Sequence, residues 1–220
     1  MNKSIQEVND AVAHETRHSL SHQEVLCINV QGAPGCGKTS LIEELVPLLG
    51  PSATIQGDLE SNIDKVRLEK QDIPTFQINT HSGCHLNAQM IKDALVNLSL
   101  DGKEYLFVEN VGNLVCPAGV QLGQHVNITL SAVTEGSDKP KKYPIIFLDS
   151  KLIVITKYNL KDVVDFDEEQ YLSDLKKLNP KAKIVLLGKH DTKGLSEIAH
   201  FFKHERQHLL GHAHSHTHTH

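Results

Sequence analysis

Short, almost uninterrupted apolar runs alternate along this chain with longer stretches in which apolar positions recur every three or four residues. The runs at residues 25–30, 53–56, 75–79, 105–108, 126–133, 152–156 and 184–187 are too short for stable helices and rich in β-branched side chains, so they predict buried strands. Helical spacing follows the first run from Ser40, then recurs at 86–98, at 168–178 and from 194 to about 210. Ahead of the first strand, Ile5, Val8, Val12 and Ala13 stand among charges and predict a weakly amphipathic helix packed on the main domain. Residues 60–71 read as a charged helix or mobile segment. Residues 135–143, with Gly136, Pro140 and three lysines, read as an exposed loop. Strand and helix alternating in this way predict an α/β fold, a mostly parallel sheet flanked by helices. The expected division is an N-terminal helical segment at 1–23, the main domain at 24–210 and a tail at 211–220.

Between the first strand and its helix lies Gly32-Ala33-Pro34-Gly35-Cys36-Gly37-Lys38-Thr39, a complete P-loop in its required strand-loop-helix setting. Glycines here leave backbone N–H groups free to converge on phosphate oxygens at a helix N-terminus. Gly35, Cys36, Gly37, Lys38, Thr39 and Ser40 would therefore hold the nucleotide, with Lys38 on the outer phosphates and the Thr39 hydroxyl on magnesium. Cys36 sits where a helix N-terminus can lower a thiol pKa, but it reads as a small residue without chemistry. Cys27 reads as core.

Composition narrows the setting. No apolar stretch approaches the roughly 20 residues that a membrane helix needs, and Met1-Asn2-Lys3-Ser4 lacks the apolar segment of a secretory signal, so a cytoplasmic location is expected. A net charge of −5 and a pI near 6.3 argue against a nucleic-acid partner. Four cysteines in such a chain point to reduced thiols.

Three of the chemically capable side chains follow predicted strands: Cys84 and His85 just before a helix, and Cys116 in the loop beyond the run at 105–108. Loops after the strands of a parallel sheet open at one edge, so these side chains can converge beside the phosphate pocket. Two thiolates and an imidazole suit zinc or nickel and leave a coordination position open. Two half-buried cysteines and a loop histidine would give the same pattern.

Several longer stretches carry a family resemblance that runs from Asn9 to about Phe202. They are Asn9-Asp10-Ala11-Val12-Ala13, Gly32 to Thr39, Gln77-Ile78-Asn79-Thr80, Gly83-Cys84-His85-Leu86-Asn87-Ala88, the run from Glu109 to Pro117, and the run from Val133 to Pro140. Together they resemble HypB, the hydrogenase nickel-incorporation GTPase. The resemblance implies a GTPase of the SIMIBI class that forms a homodimer with nucleotide and delivers nickel to [NiFe]-hydrogenase, and often to urease. It implies a nickel or zinc site at the dimer interface, on the positions of Cys84, His85 and Cys116. Asp58 and Glu109 would lie near the magnesium and the attacking water, with Asp64 as a helper, and the partners implied are a nickel chaperone and a client metalloenzyme.

The base-reading motif departs from that family. Where guanine-specific relatives carry Asn-Lys-x-Asp, this chain has Thr156-Lys157-Tyr158-Asn159, and Gly188-Lys189-His190 replaces the usual Ser-Ala-Lys loop. Asn159 offers one acceptor and one donor in place of two acceptors, while Lys157 can still cover a base with its aliphatic stem. GTP is the expected nucleotide, with another triphosphate open. Histidine is the compositional outlier, at 15 residues. His200, His204 and His208 share one helical face, and His212, His214, His216, His218 and His220 extend the array into a disordered tail suited to nickel(II) or zinc(II). A nucleotide-hydrolysing nickel metallochaperone is the leading reading. The alternatives are a metal-storage or sensing protein with a P-loop switch, and a related chaperone for zinc or cobalt.

Overall fold

The computed structural model describes residues 4–58, 63–80 and 83–215. In chain order its elements are α1 (Ile5–His22), β1 (Leu26–Gly32), α2 (Lys38–Leu49), β2 (Ser52–Asp58), α3 (Ile63–Glu69), β3 (Thr75–Asn79), α4 (Ala88–Asn97), β4 (Tyr105–Glu109), β5 (Val126–Ala132), α5 (Lys139–Lys142), α6 (Pro144–Leu148), β6 (Leu152–Thr156), α7 (Glu168–Leu178), β7 (Lys183–Leu186) and α8 (Thr192–Ser215). The strands form one parallel sheet in the order β3-β2-β4-β1-β5-β6-β7. This is the α/β architecture that the alternation predicts.

The central strands are apolar over most of their length because both faces of the sheet are covered. Leu26, Ile28 and Val30 of β1 and Tyr105 and Phe107 of β4 point toward α2 and α8, where they meet Leu41, Ile42, Leu45, Ile198 and Phe202. The intervening residues Cys27, Leu106 and Val108 point the other way, into a cluster with Ile55, Leu86, Ile91 and Ala94. A third cluster joins Ile153 and Ile155 of β6 to Ile146 and Phe147 of α6 and to Tyr171 and Leu175 of α7. A fully buried side chain of this size contributes about 1.5–3 kcal/mol.

Three regions differ from their expected form. In α1 the buried positions are Ala13, Thr16 and Leu20, whereas Ile5 is 92% and Val8 51% exposed. Asn9 explains the shift: its side chain bonds the backbone of Ala88, the first residue of α4, and of Gln121, so the first turn of α1 extends past the contact. Residues 135–143 are not an exposed loop. A 3-10 turn at Val133–Glu135 leads into α5, Pro140 is buried, and Glu135 is half-buried with Oε1 accepting from the Ala132 N–H. Finally, α8 does not end near residue 210 but continues through Gly211 to Ser215. His216, His218 and His220 lie outside the described residues, as do the side chains of His212 and His214.

Candidate nucleotide and metal site

The turn between β1 and α2 takes its shape from left-handed glycines. Gly35 has φ +72° and Gly37 φ +100°, and Gly37 opens α2 without a side-chain cap, leaving the first N–H groups of the helix facing outward. At Gly32 a Cβ would lie 2.5 Å from the Leu130 carbonyl oxygen, so β5 can press against the loop only where no side chain intervenes. The resulting cavity, about 450 Å³, is lined by loop residues together with Gln56, Asp58, Asp64, Arg67 and Glu109. Within it the buried Lys38 ammonium donates to the Gly32 and Ala33 carbonyls at 3.3 and 3.2 Å. Thr39 Oγ1 donates to Glu109 Oε1 at 3.0 Å and Gln56 Nε2 to Glu109 Oε2 at 3.1 Å.

Glu109 is 7% exposed, and that burial raises its pKa; Lys38 and the two hydrogen bonds only partly offset the shift. The oxygens of Thr39, Asp58 and Glu109 share one cavity, a hard donor set that fits magnesium. Cys36 does not gain the lowered pKa that a helix start can give. Its thiol is buried in the core, and burial pushes the pKa up to about 11. Arg67 was not legible in the sequence. From α3 its guanidinium reaches Glu43 at 2.6 Å, Asp64 at 3.1 Å and Ser40 at 3.3 Å, closing one wall of the cavity.

Two loops lead from this cavity to the thiols. Thr80 bonds the Asp58 carbonyl through its N–H at 2.9 Å, and its hydroxyl donates to the Gly83 carbonyl at 2.7 Å, next to Cys84. Leu86 packs over Gly57, where a Cβ would lie 2.9 Å from it. On the other side Asn113 pairs with Gly32 of the phosphate turn, and its side chain accepts from the Val115 and Cys116 N–H groups at 2.7 and 3.1 Å. The two loops meet: the neighbouring Cys84 thiol raises the Cys116 pKa, and Cys84 Sγ lies 3.6 Å from His85 Nδ1. Among the described residues no three such side chains converge on a point that one ion could occupy. Cys84, His85 and Cys116 thus lie on neighbouring loops without being arranged around one ion position.

Thr156, Lys157 and Asn159 do not line the phosphate cavity. Thr156 Oγ1 donates to the Cys36 carbonyl at 2.7 Å, fastening the end of β6 to the phosphate turn. Lys157 follows in a left-handed conformation, φ +54°, and is exposed. The Asn159 side-chain oxygen Oδ1 accepts from the Lys189 N–H at 3.0 Å.

A parallel sheet with a glycine turn at the end of its central strand, a buried lysine and a hydroxyl-carboxylate pair defines a P-loop nucleotide-binding protein. Residues 26–186 match the family described as CobW/HypB/UreG, nucleotide-binding domain. The chain is 38% identical over 204 residues to the probable hydrogenase maturation factor HypB of Methanocaldococcus jannaschii, covering 91% of this chain and 92% of that one. It is 37% identical over 201 residues to the hydrogenase maturation factor HypB of Escherichia coli K12, covering 90% and 69%. The crystal structure of HypB from Helicobacter pylori in complex with nickel superposes with a TM-score of 0.86 at 34% identity, covering 91% and 96%. The chain belongs to the CobW/HypB/UreG family. None of its described helices is long and apolar enough to cross a membrane.

Proposed function

We propose that this protein is a nucleotide-hydrolysing nickel metallochaperone, which loads nickel at a site shared by two copies of the chain and releases it for hydrogenase maturation when the nucleotide is cleaved. The observation that carries this reading is the shared framework of the two sites. Asn113 joins the phosphate turn to the Cys116 loop, and Thr80 joins Asp58 to the Cys84 loop. The relatives bear the name hydrogenase maturation factor, or hydrogenase/urease maturation factor in Helicobacter pylori, and one solved relative is a nickel complex.

In this reading Lys38 leaves the loop carbonyls for the outer phosphates and balances the charge that moves toward the leaving group. Thr39 and Asp58 hold magnesium, which when bound supplies charge neutralisation at the phosphates. Glu109, held by Thr39 and Gln56, orients the attacking water. Lys157 and Asn159 face the base; GTP is the nucleotide expected by family, and Asn159 in place of the usual Asp favours another triphosphate over it. Cys84, His85 and Cys116 from each chain complete each other's open positions in a homodimer, and the histidines from His212 onward collect ions. A reduced, cytoplasmic setting suits the free thiols, and a nickel chaperone and the client enzyme are the expected partners.

Light scattering across the combinations of nickel or none with diphosphate or a non-hydrolysable triphosphate tests the scheme. Nickel should favour the dimer more strongly with triphosphate, and Cys116→Ala should remove that difference. Lys38→Ala should lower phosphate release by about 100-fold or more. An identical dimer fraction in all combinations, or unchanged turnover in Lys38→Ala, would sink it.

A further inference from the structure

His204 and His208 stand one turn apart on α8, both exposed, with ring centroids 4.4 Å apart and Nε2 atoms 3.2 Å apart. Their neighbours fix this stretch of helix. Glu205 binds Lys151 at 2.7 Å, just ahead of β6, and Arg206 reaches Glu104 at 3.5 Å, just ahead of β4. The pair therefore sits over the N-terminal edge of the sheet, a strand length or more, on the order of 15–20 Å, from the phosphate cavity and the thiols at the opposite edge.

At 3.2 Å one Nε2 donates to the other, so at least one ring is neutral with its lone pair aimed at its neighbour. Neither Nδ1 has a protein hydrogen-bond partner among the described residues, so each ring is free to carry its proton there and turn both Nε2 lone pairs toward one point. A metal bonded to both nitrogens at about 2.0–2.1 Å would subtend an angle of about 100°, between the right angle of octahedral and tetragonal sites and the wider tetrahedral one. Histidines four residues apart on a helix are a known chelating arrangement for this reason. The other histidines near this edge differ. His125 uses Nδ1 to accept from the Cys27 N–H and Nε2 to bond Ser21, and His18 and His22 meet edge to face with centroids 4.4 Å apart without a hydrogen bond between their nitrogens.

We propose that His204 and His208 form a two-imidazole chelate for a divalent late transition metal, nickel(II) above all, separate from Cys84, His85 and Cys116. Both donors are borderline nitrogen ligands suited to that ion, and water fills the remaining positions. With only two protein donors the ion exchanges readily, and it is held on a helix that stays docked to the sheet.

The test uses the full chain carrying Cys84→Ser and Cys116→Ser, with His212, His214, His216, His218 and His220 replaced by Asn, titrated with nickel chloride by calorimetry. One ion per chain is expected, with a matching rise in melting temperature as nickel is added. His204→Gln and His208→Gln should each weaken binding by about tenfold or more and abolish the thermal shift, the double variant losing little beyond either single one. Both side chains are exposed, so circular dichroism should be unchanged without metal. Equal nickel affinity in the parent and both variants, no nickel binding in the parent, or a loss that follows His200→Gln instead, would overturn the chelate.

Discussion

At the scale of single residues the most consequential departure is Asn159. Because the Lys189 N–H can face only an acceptor, the amide is oriented with its oxygen bound to the backbone and its Nδ2 donors left for a ligand. With Asn159 facing the base as proposed, the guanine N1–H and 2-amino donors meet its Nδ2 donors, whereas xanthine presents a carbonyl in place of the 2-amino group. Calorimetry should find XTP bound more tightly than GTP, and Asn159→Asp should reverse the order, improving GTP by roughly 10- to 100-fold. Tight GTP-selective binding by the unmodified protein, with no gain in the variant, would refute this. The sequence made Lys38 and Thr39 legible because their chemistry is set by neighbours within one turn. Arg67 was illegible because its partners Ser40 and Glu43 are brought to it only when α3 packs beside α2. The depth at which the Cys36 thiol is buried was illegible for a related reason: the helix start is local, but the packing around the thiol is not.

Elements show how far local pattern reaches. The strands were recoverable because burial on both faces leaves an apolar run, and the meeting of Cys84 with Cys116 followed from the rule that parallel strands end at one edge. Helix limits were harder. Gly211 costs α8 about 1 kcal/mol relative to Ala, yet it lacks the left-handed conformation that ends a helix, and the chain runs through it. The junction of α1 with the sheet had no periodic signal at all. His125 makes it, accepting from the Cys27 N–H at 2.9 Å through Nδ1 and bonding Ser21 at 3.0 Å through Nε2. Burial above all, with the Arg17 charge, pushes its pKa down to about 4 from an ordinary 6.5. The unfolded chain takes up this proton first, so the stabilisation is intact above about pH 6.5 and is lost progressively as pH falls toward 4, roughly 3 kcal/mol in all. Urea unfolding at several pH values should give a shallower acid slope for His125→Asn than for the parent. A C2-proton NMR titration placing the His125 midpoint near 6.5 would contradict the assignment.

Across the whole molecule the phosphate cavity and the loop that carries Cys84 are joined through Asn110, the residue after Glu109. Its Oδ1 accepts from the Val111 N–H at 3.0 Å and the Leu86 N–H at 3.4 Å, and its Nδ2 donates to Asn29 at 3.3 Å. Asn110→Ala should cost about 1–3 kcal/mol in stability, since Leu86 and Asn29 lose a buried partner. Nucleotide binding should persist, while the nucleotide dependence of nickel-driven dimerisation falls. A variant that keeps the full dependence would show that coupling travels elsewhere. The amides continue beyond this point: Asn29 donates to Asn127 at 2.9 Å and Asn127 to Asp149 at 2.6 Å, crossing the sheet where β1 and β5 pair Asn29 with Asn127. An apolar sheet centre tolerates misalignment by two residues, because such a slip keeps each side chain on its own face. Here a two-residue slip of β1 on β5 would move Asn29 from Asn127 to a place opposite Thr129 or His125. Those side chains are already committed, Thr129 to Ile146 and Ser150, His125 to Cys27 and Ser21. The bond between the two amides would be lost, leaving Asn29 Nδ2 and Asn127 Oδ1 unpaired at a cost of about 1–3 kcal/mol each. The polar row is thus a proofreading mark for folding: it penalises the mispaired sheets that hydrophobic burial alone would accept.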